Sequence, residues 1–354
     1  MSLPTLPMVG DADVRSVITV ADALEVVEAT YADFGADRLS LSAPTITRLG
    51  VSGGTRGFGL KGALLDRYGV AGVRVTPTHT AGRNSWCLVL ETESGRPLVA
   101  VEETWLHRLR TAASAAVAAR LLARPDSKVL TLVGAGQIAA FVPAAFAEAF
   151  ALEEIRVVAR TAGSAADFVA RQPVAPGATL TPYDGLDAAA PGSDIVVALT
   201  SARQPVVHPR HFGPGVTLLG LGGGAEIAAE IVTGPTPYGT RAPAPDAAEA
   251  AGCGGVAGAV LAPEATGHGT GTADRFFVDD LGYAREIGSI ASWLAAGLPP
   301  RTLDARLTGS LPAVAAGSLP GRTHPDERVL GIVQGVAACD VALACLTMRR
   351  LGIG

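Results

Sequence analysis

Val129-Leu130-Thr131-Leu132-Val133-Gly134-Ala135-Gly136-Gln137-Ile138-Ala139 decides the fold. A short apolar run with the texture of a buried strand passes into Gly-x-Gly-x-x-Ala, and an Ala-rich helical stretch follows. In that pattern Gly134 permits a tight turn, Gly136 lets the backbone approach a pyrophosphate, and Ala139 lets the helix pack closely on the strand. The start of the helix offers unpaired N–H groups and the positive end of a dipole to the anion. A Gly-rich match alone is a weak signal. One that follows a strand and opens a helix points to a dinucleotide held by Gly134, Ala135, Gly136, Gln137 and Ile138.

The surrounding chain has the same rhythm. Strand-like runs at 128–133, 154–159, 195–200, 216–220 and 276–279, with helices at 137–150 and 163–171, imply a parallel, doubly wound sheet. Before it, a helix is expected over 20–38, with Asp22 near its start. Short β-like runs follow at 43–48, 57–65, 72–77, 85–91 and 97–101, separated by Gly-containing turns. They imply an antiparallel sheet, with a hairpin at Ser94-Gly95. A helix over 111–123 is expected with Thr111 as its N-cap. Residues 326–351 read as helix, carrying Val329, Val333, Val336, Val341 and Leu343. The expected division is 1–112 with 320–354 as one domain and 113–319 as the nucleotide domain. The Gly-, Pro- and Ala-rich stretch 233–273 is a surface insertion, either a tolerated loop or a lid.

Composition narrows the class. With 48% hydrophobic residues and 354 in all, the chain can bury a substantial core in about two domains. A net charge of −5 without a basic cluster argues against nucleic acid or an anionic membrane as partner. No run of 18 apolar residues suggests a membrane span. The first residues lack a basic segment leading into an apolar one, so no signal peptide is expected. Four cysteines without Cys-x-x-Cys spacing fit reduced thiols in a cytoplasmic protein. No metal-ligand spacing is visible.

Arg110-Thr111-Ala112-Ala113-Ser114-Ala115-Ala116-Val117-Ala118-Ala119, followed by Val133-Gly134-Ala135-Gly136, resembles the ornithine cyclodeaminase/mu-crystallin family. Ser193-Asp194-Ile195-Val196 with Thr200 and Pro205-Val206 is similar to the family's fourth Rossmann strand and its loop. Gly222-Gly223 with Glu230-Ile231 resembles the next loop. Phe277-Val278-Asp279-Asp280 and Gly335 with Asp340-Val341-Ala342-Leu343-Ala344 resemble the closing motifs. The resemblance implies an α/β protein with a Rossmann-type doubly wound parallel sheet. It also implies a second α/β domain whose mixed sheet serves substrate binding and homodimerisation. It further implies a nicotinamide cofactor touched by Thr111, Thr200 and Gly222, and hydride transfer at an amino-acid or imine carbon in the cleft between domains.

Arg110, read as preceding a helix, combines a guanidinium with a helix N-terminus and suits a carboxylate or phosphate. The resemblance assigns it the substrate carboxylate. Arg74 stands where the family usually has a lysine; arginine holds a carboxylate but cannot act as a base. Lys61, thirteen residues earlier, would reach the same pocket if the two runs pair around 66–69, and would then supply the proton-shuttling ammonium. The alternative is a solvated strand charge. Arg48 lies two residues beyond the family's first-strand arginine position, which is Ile46 here, and points to the same side. His79 is a candidate proton donor in a loop. The family's cyclodeaminase aspartate position holds Gly224, with Glu226 two places off. Without that acid, hydrolytic deamination loses its acid–base group.

Arg160, Thr161 and Ser164 follow the second strand of the nucleotide domain, where NAD sites often place an acid. Arginine and hydroxyls favour the 2′-phosphate of NADP(H), with NAD(H) as the alternative. These readings favour a reductase or dehydrogenase acting on a carboxylate-bearing imine or amino acid. An ammonia-releasing cyclodeaminase and an NADPH-binding protein with little catalysis remain open.

Overall fold

The computed structural model describes residues 5–50, 57–78, 84–173, 177–234 and 272–353. His79 and residues 235–271, most of the expected insertion, lie outside the described residues.

The first sheet is built from β1 (Met8–Val9), β2 (Leu39–Leu41), β3 (Thr47–Gly50), β4 (Gly57–Leu65), β5 (Val70–Pro77), β6 (Trp86–Glu91) and β7 (Pro97–Glu102). Its order is β1-β7-β6-β5-β4-β2, with β3 also on β4. Only β1 and β7 run parallel, so the sheet is mixed. Helices α1 (Asp11–Val17) and α2 (Val20–Gly35) precede it. The Thr19 hydroxyl caps α2 by accepting the Asp22 N–H, and Asp22 reciprocates on the Thr19 N–H.

Helix α3 (Thr104–Leu122) leads into the second sheet. It starts seven residues before the expected N-cap: Leu106 and Leu109 extend the apolar face of the Ala run upstream, and both are buried. Thr111 therefore sits in mid-helix, its hydroxyl donating to the His107 carbonyl at 2.7 Å. Arg110 is likewise in mid-helix and not at the N-terminus of α3.

The second sheet consists of β8 (Val129–Val133), β9 (Glu154–Val158), β10 (Thr179–Tyr183), β11 (Ile195–Ala198), β12 (Thr217–Gly220), β13 (Arg275–Val278), β14 (Gly309–Ser310) and β15 (Val329–Ile332). All pairs are parallel, in the order β10-β9-β8-β11-β12-β15-β13-β14. The connecting helices are α4 (Val142–Ala149), α5 (Ala162–Arg171), α6 (Leu186–Ala189), α7 (Glu230–Thr233), α8 (Leu281–Ala284), α9 (Gly288–Ala295), α10 (Pro300–Arg306) and α11 (Leu311–Ala315). The chain closes with α12 (Ala337–Arg350). The expected α/β architecture, a doubly wound parallel sheet beside a mixed sheet, is present.

Two expectations need correction. The helix after the glycine turn begins at Val142 behind a 3-10 turn, not at 137; Pro143 lacks an N–H and is accommodated in a first turn. Residues 326–351 are not one helix. Val329–Ile332 is a strand buried between β12 and β13, where both faces are covered and a continuous apolar run is the rule. Gly335, at φ +83°, then turns the chain into α12, which packs on β4, β5 and β6. The 320–354 segment is thus shared between the bodies and does not belong wholly to the first.

Candidate active site

The order reversal lies between β8 and β11, whose carboxyl ends form the crevice where doubly wound sheets bind ligands. Gly134 has φ +123°, and a Cβ there would come within 2.4 Å of the Leu199 carbonyl oxygen, so only glycine fits. A Cβ on Gly136 would meet nothing within 4 Å. The space beside Gly136 is therefore open, which fits the nucleotide reading. Arg160, Thr161 and Ser164 lie just past β9, all exposed, and Thr161 caps α5 by accepting the Ser164 N–H at 3.1 Å.

A cavity of about 650 Å³ opens between the two sheets. Arg48, Lys61 and Arg74 reach it from the first sheet, Arg110 and Thr111 from α3, and Gln137 and Ile138 from the glycine turn. The hairpin β4–β5 places Lys61 directly opposite Arg74, with the turn at Asp66–Tyr68. Arg48, at the rim, lies 3.3 Å from Glu286.

Lys61 is buried. Its Nζ donates to the Gly335 carbonyl at 2.8 Å and sits 3.5 Å from the centre of the Tyr283 ring. Burial pulls its ammonium down to about 7; Asp340 opposes this, while Arg110 and Arg74 add to it. Arg74 Nε donates to Glu103 at 2.6 Å, both groups being buried. Burial raises the Glu103 carboxyl against the pull of Arg74.

Arg110 is 2% exposed and is held by Asp340 of α12 through two bonds, at 2.8 and 3.1 Å. Burial would raise the Asp340 carboxyl, but Arg110 and then Arg74 hold it well below the usual carboxylate range. Arg110 Nη2 also lies 2.9 Å from His107 Nδ1. A guanidinium only donates, so Nδ1 must accept and the proton sits on Nε2 of a neutral imidazole. Burial, followed by Arg74, holds His107 well below its ordinary value. These contacts occupy Nε and Nη2, so Arg110 offers a substrate only its Nη1 edge.

Glu226 is fully buried and does not line the cavity. Its carboxylate accepts the Thr200 N–H at 2.7 Å, the Thr200 hydroxyl at 2.9 Å and the Gly222 N–H at 2.6 Å. It therefore ties together the loops after β11 and β12. Burial pushes its carboxyl up to about 7 against those hydrogen bonds. A Cβ on Gly224 would stand 2.2 Å from the Ala202 carbonyl oxygen, so this backbone has no room for a side chain there.

Glu103, His107, Arg108 and Tyr283 also line the cavity and were not singled out from sequence. One usable signal was Asp340, a lone acid in the apolar run Ala337-Ala338-Cys339-Asp340-Val341-Ala342. Such an acid requires a buried cationic partner.

The model of the ornithine cyclodeaminase/mu-crystallin family matches residues 60–233. Ornithine cyclodeaminase of Agrobacterium tumefaciens is 31% identical over 170 residues, 46% of this chain and 48% of that protein. Delta(1)-pyrroline-2-carboxylate reductase of Paracoccus denitrificans is 32% identical over 183 residues, 51% of this chain and 56% of that protein. These matches span about half the length of the two relatives. The fold matches that of Thermococcus litoralis Delta(1)-pyrroline-2-carboxylate reductase, solved with NADH and L-proline, at a TM-score of 0.79 and 19% identity over 99% of both chains. The matched segment carries the Arg110 helix and the glycine turn that build the cavity, and the chain belongs to the ornithine cyclodeaminase/mu-crystallin family.

Proposed function

We propose that the protein is an NAD(P)H-dependent reductase or dehydrogenase acting at the C–N centre of a carboxylate-bearing imine or amino acid. The observation that carries this reading is the convergence of Lys61, Arg74 and Arg110 on one cavity floored by Gln137 and Ile138 of the glycine turn. Bound, the nicotinamide supplies or removes hydride. The chain's own residues do the rest. Arg74, steadied by Glu103, and the free edge of Arg110 hold the substrate carboxylate and orient the imine carbon. Lys61, poised near neutrality, gives a proton to the imine nitrogen or takes one from the amine. Arg160, Thr161 and Ser164 favour NADP(H) over NAD(H).

Cyclodeaminase chemistry is disfavoured for two reasons. Gly224 carries no acid and has no space for one, and Glu226 spends both oxygens on the loops. NADPH oxidation with cyclic imine carboxylates, and with 2-oxo acids plus ammonia, tests the reading. Ammonia release from ornithine without net cofactor turnover replaces it with the cyclodeaminase.

The protein is further proposed to act as a cytoplasmic homodimer through the first sheet. One face of that sheet, with Gly72 and Ala63, packs against α12. The other presents Phe58, Leu60, Leu64, Val73, Val75 and Leu88, half-buried or exposed. An apolar face of this extent on a single chain points to a second copy.

A further inference from the structure

The cations around the cavity are not equally matched. Arg74 is neutralised by Glu103, Arg110 by Asp340, and Arg48 faces Glu286 at the rim. Lys61 has a carbonyl and an aromatic face but no acid bonded to it. Arg108 makes no hydrogen bond or ion pair among the described residues, although it is half-buried and lines the cavity. It shares one face of α3 with Thr104 and Thr111, four residues before and three after, and both of these line the cavity too. A half-buried guanidinium with five donors and no partner among the described residues is set for an oxyanion supplied by a ligand.

We propose that Arg108 seats a second anionic group of the substrate, so that the preferred imine or amino acid carries two carboxylates. The proposal rests on the reductase reading and deepens it. One carboxylate meets Arg74 and the free edge of Arg110; the other meets the planar fork of Arg108. A nucleotide phosphate has the same chemistry. It has its own places, however: the glycine turn for the pyrophosphate and Arg160, past β9, for a 2′-phosphate. That leaves Arg108 to the substrate.

The test compares wild type with Arg108→Met, checked for fold by thermal melting. Initial rates of NADPH oxidation are measured with oxaloacetate plus ammonia (two carboxylates in the imine) and with pyruvate plus ammonia (one). Fluorescence titration gives NADPH affinity. Wild type should prefer the dicarboxylate, and the variant should lose that preference by roughly 10- to 100-fold, the worth of a hydrogen-bonded charge. Two outcomes overturn the proposal: a wild-type preference for the monocarboxylate, or weakened NADPH binding in the variant, which would make Arg108 a phosphate contact. If no imine is reduced, the reductase reading fails. Calorimetry of succinate on the NADP⁺-loaded protein then decides Arg108 separately: binding to wild type that Arg108→Met loses supports the second anion seat, and absence of binding to wild type overturns it.

Discussion

Lys61 is an ammonium shut away from water, and its chemistry follows from that enclosure. The loss of water, aided by Arg110 and Arg74 against the pull of Asp340, brings it down to about 7, so near neutral pH the ammonium and the amine are both available. Proton donation requires the ammonium. In the reductive direction kcat/KM should therefore fall as pH rises through about 7, and in the oxidative direction it should rise over the same window. Lys61→Met should lower kcat by roughly a hundredfold and remove the inflection near 7. Unaltered pH profiles in both directions would take Lys61 out of the mechanism. Arg74 stands at the family's usual lysine position, and under the proposed function the proton role falls to Lys61 on the strand opposite it. That exchange was legible as a possibility from thirteen residues of spacing. Only the β4–β5 register set Lys61 directly against Arg74.

At the scale of elements, the loops at the carboxyl ends of β11 and β12 are held together by a single buried carboxylate. Glu226→Gln would turn an amide N–H₂ toward one of the two backbone donors, Thr200 N–H or Gly222 N–H. It should cost about 1–3 kcal/mol of stability, read as a lowered Tm, and weaken NADPH binding with it. A Tm and an NADPH Kd both equal to wild type would deny that Glu226 positions these loops. Under the proposed function, cofactor choice lies at the end of β9. Arg160→Glu places a carboxylate where a 2′-phosphate would lie and offers an acceptor to a ribose hydroxyl. The ratio of kcat/KM for NADPH to that for NADH should drop about tenfold or more, and an unmoved ratio would locate the discrimination elsewhere. Strand and helix types in this region follow from local pattern. The start of α3 did not, because an Ala-rich run signals helix strongly enough to hide the weaker turns before it. β15 did not either, because a short buried apolar run has no period that separates strand from helix.

For the whole molecule, Asp340 of α12 clamps Arg110 of α3, and the closing helix therefore braces the cavity from the far end of the sequence. Both groups are buried, so each depends on the other to offset its desolvation. The uncovered face of the first sheet carries a prediction at this scale. Phe58→Glu with Leu64→Glu would put charges in the proposed dimer interface and should give a monomer by light scattering, while wild type elutes as a dimer. A wild-type monomer would refute the assembly. Among the described residues no helix is long and apolar enough to cross a membrane.

The sequence by itself determined the nucleotide turn, the doubly wound sheet and the identities of the cavity's principal cations. Each of those depends on short-range pattern: a glycine where φ must be positive, apolar periodicity, an arginine at a motif position. The tertiary structure alone decided which charges are matched. Glu103 lies beside Arg74, Asp340 reaches across 230 residues to Arg110, and among the described residues Arg108 is left without an acid. Electrostatic pairing depends on distance in space and on exclusion of water, and neither is written in the linear order of residues.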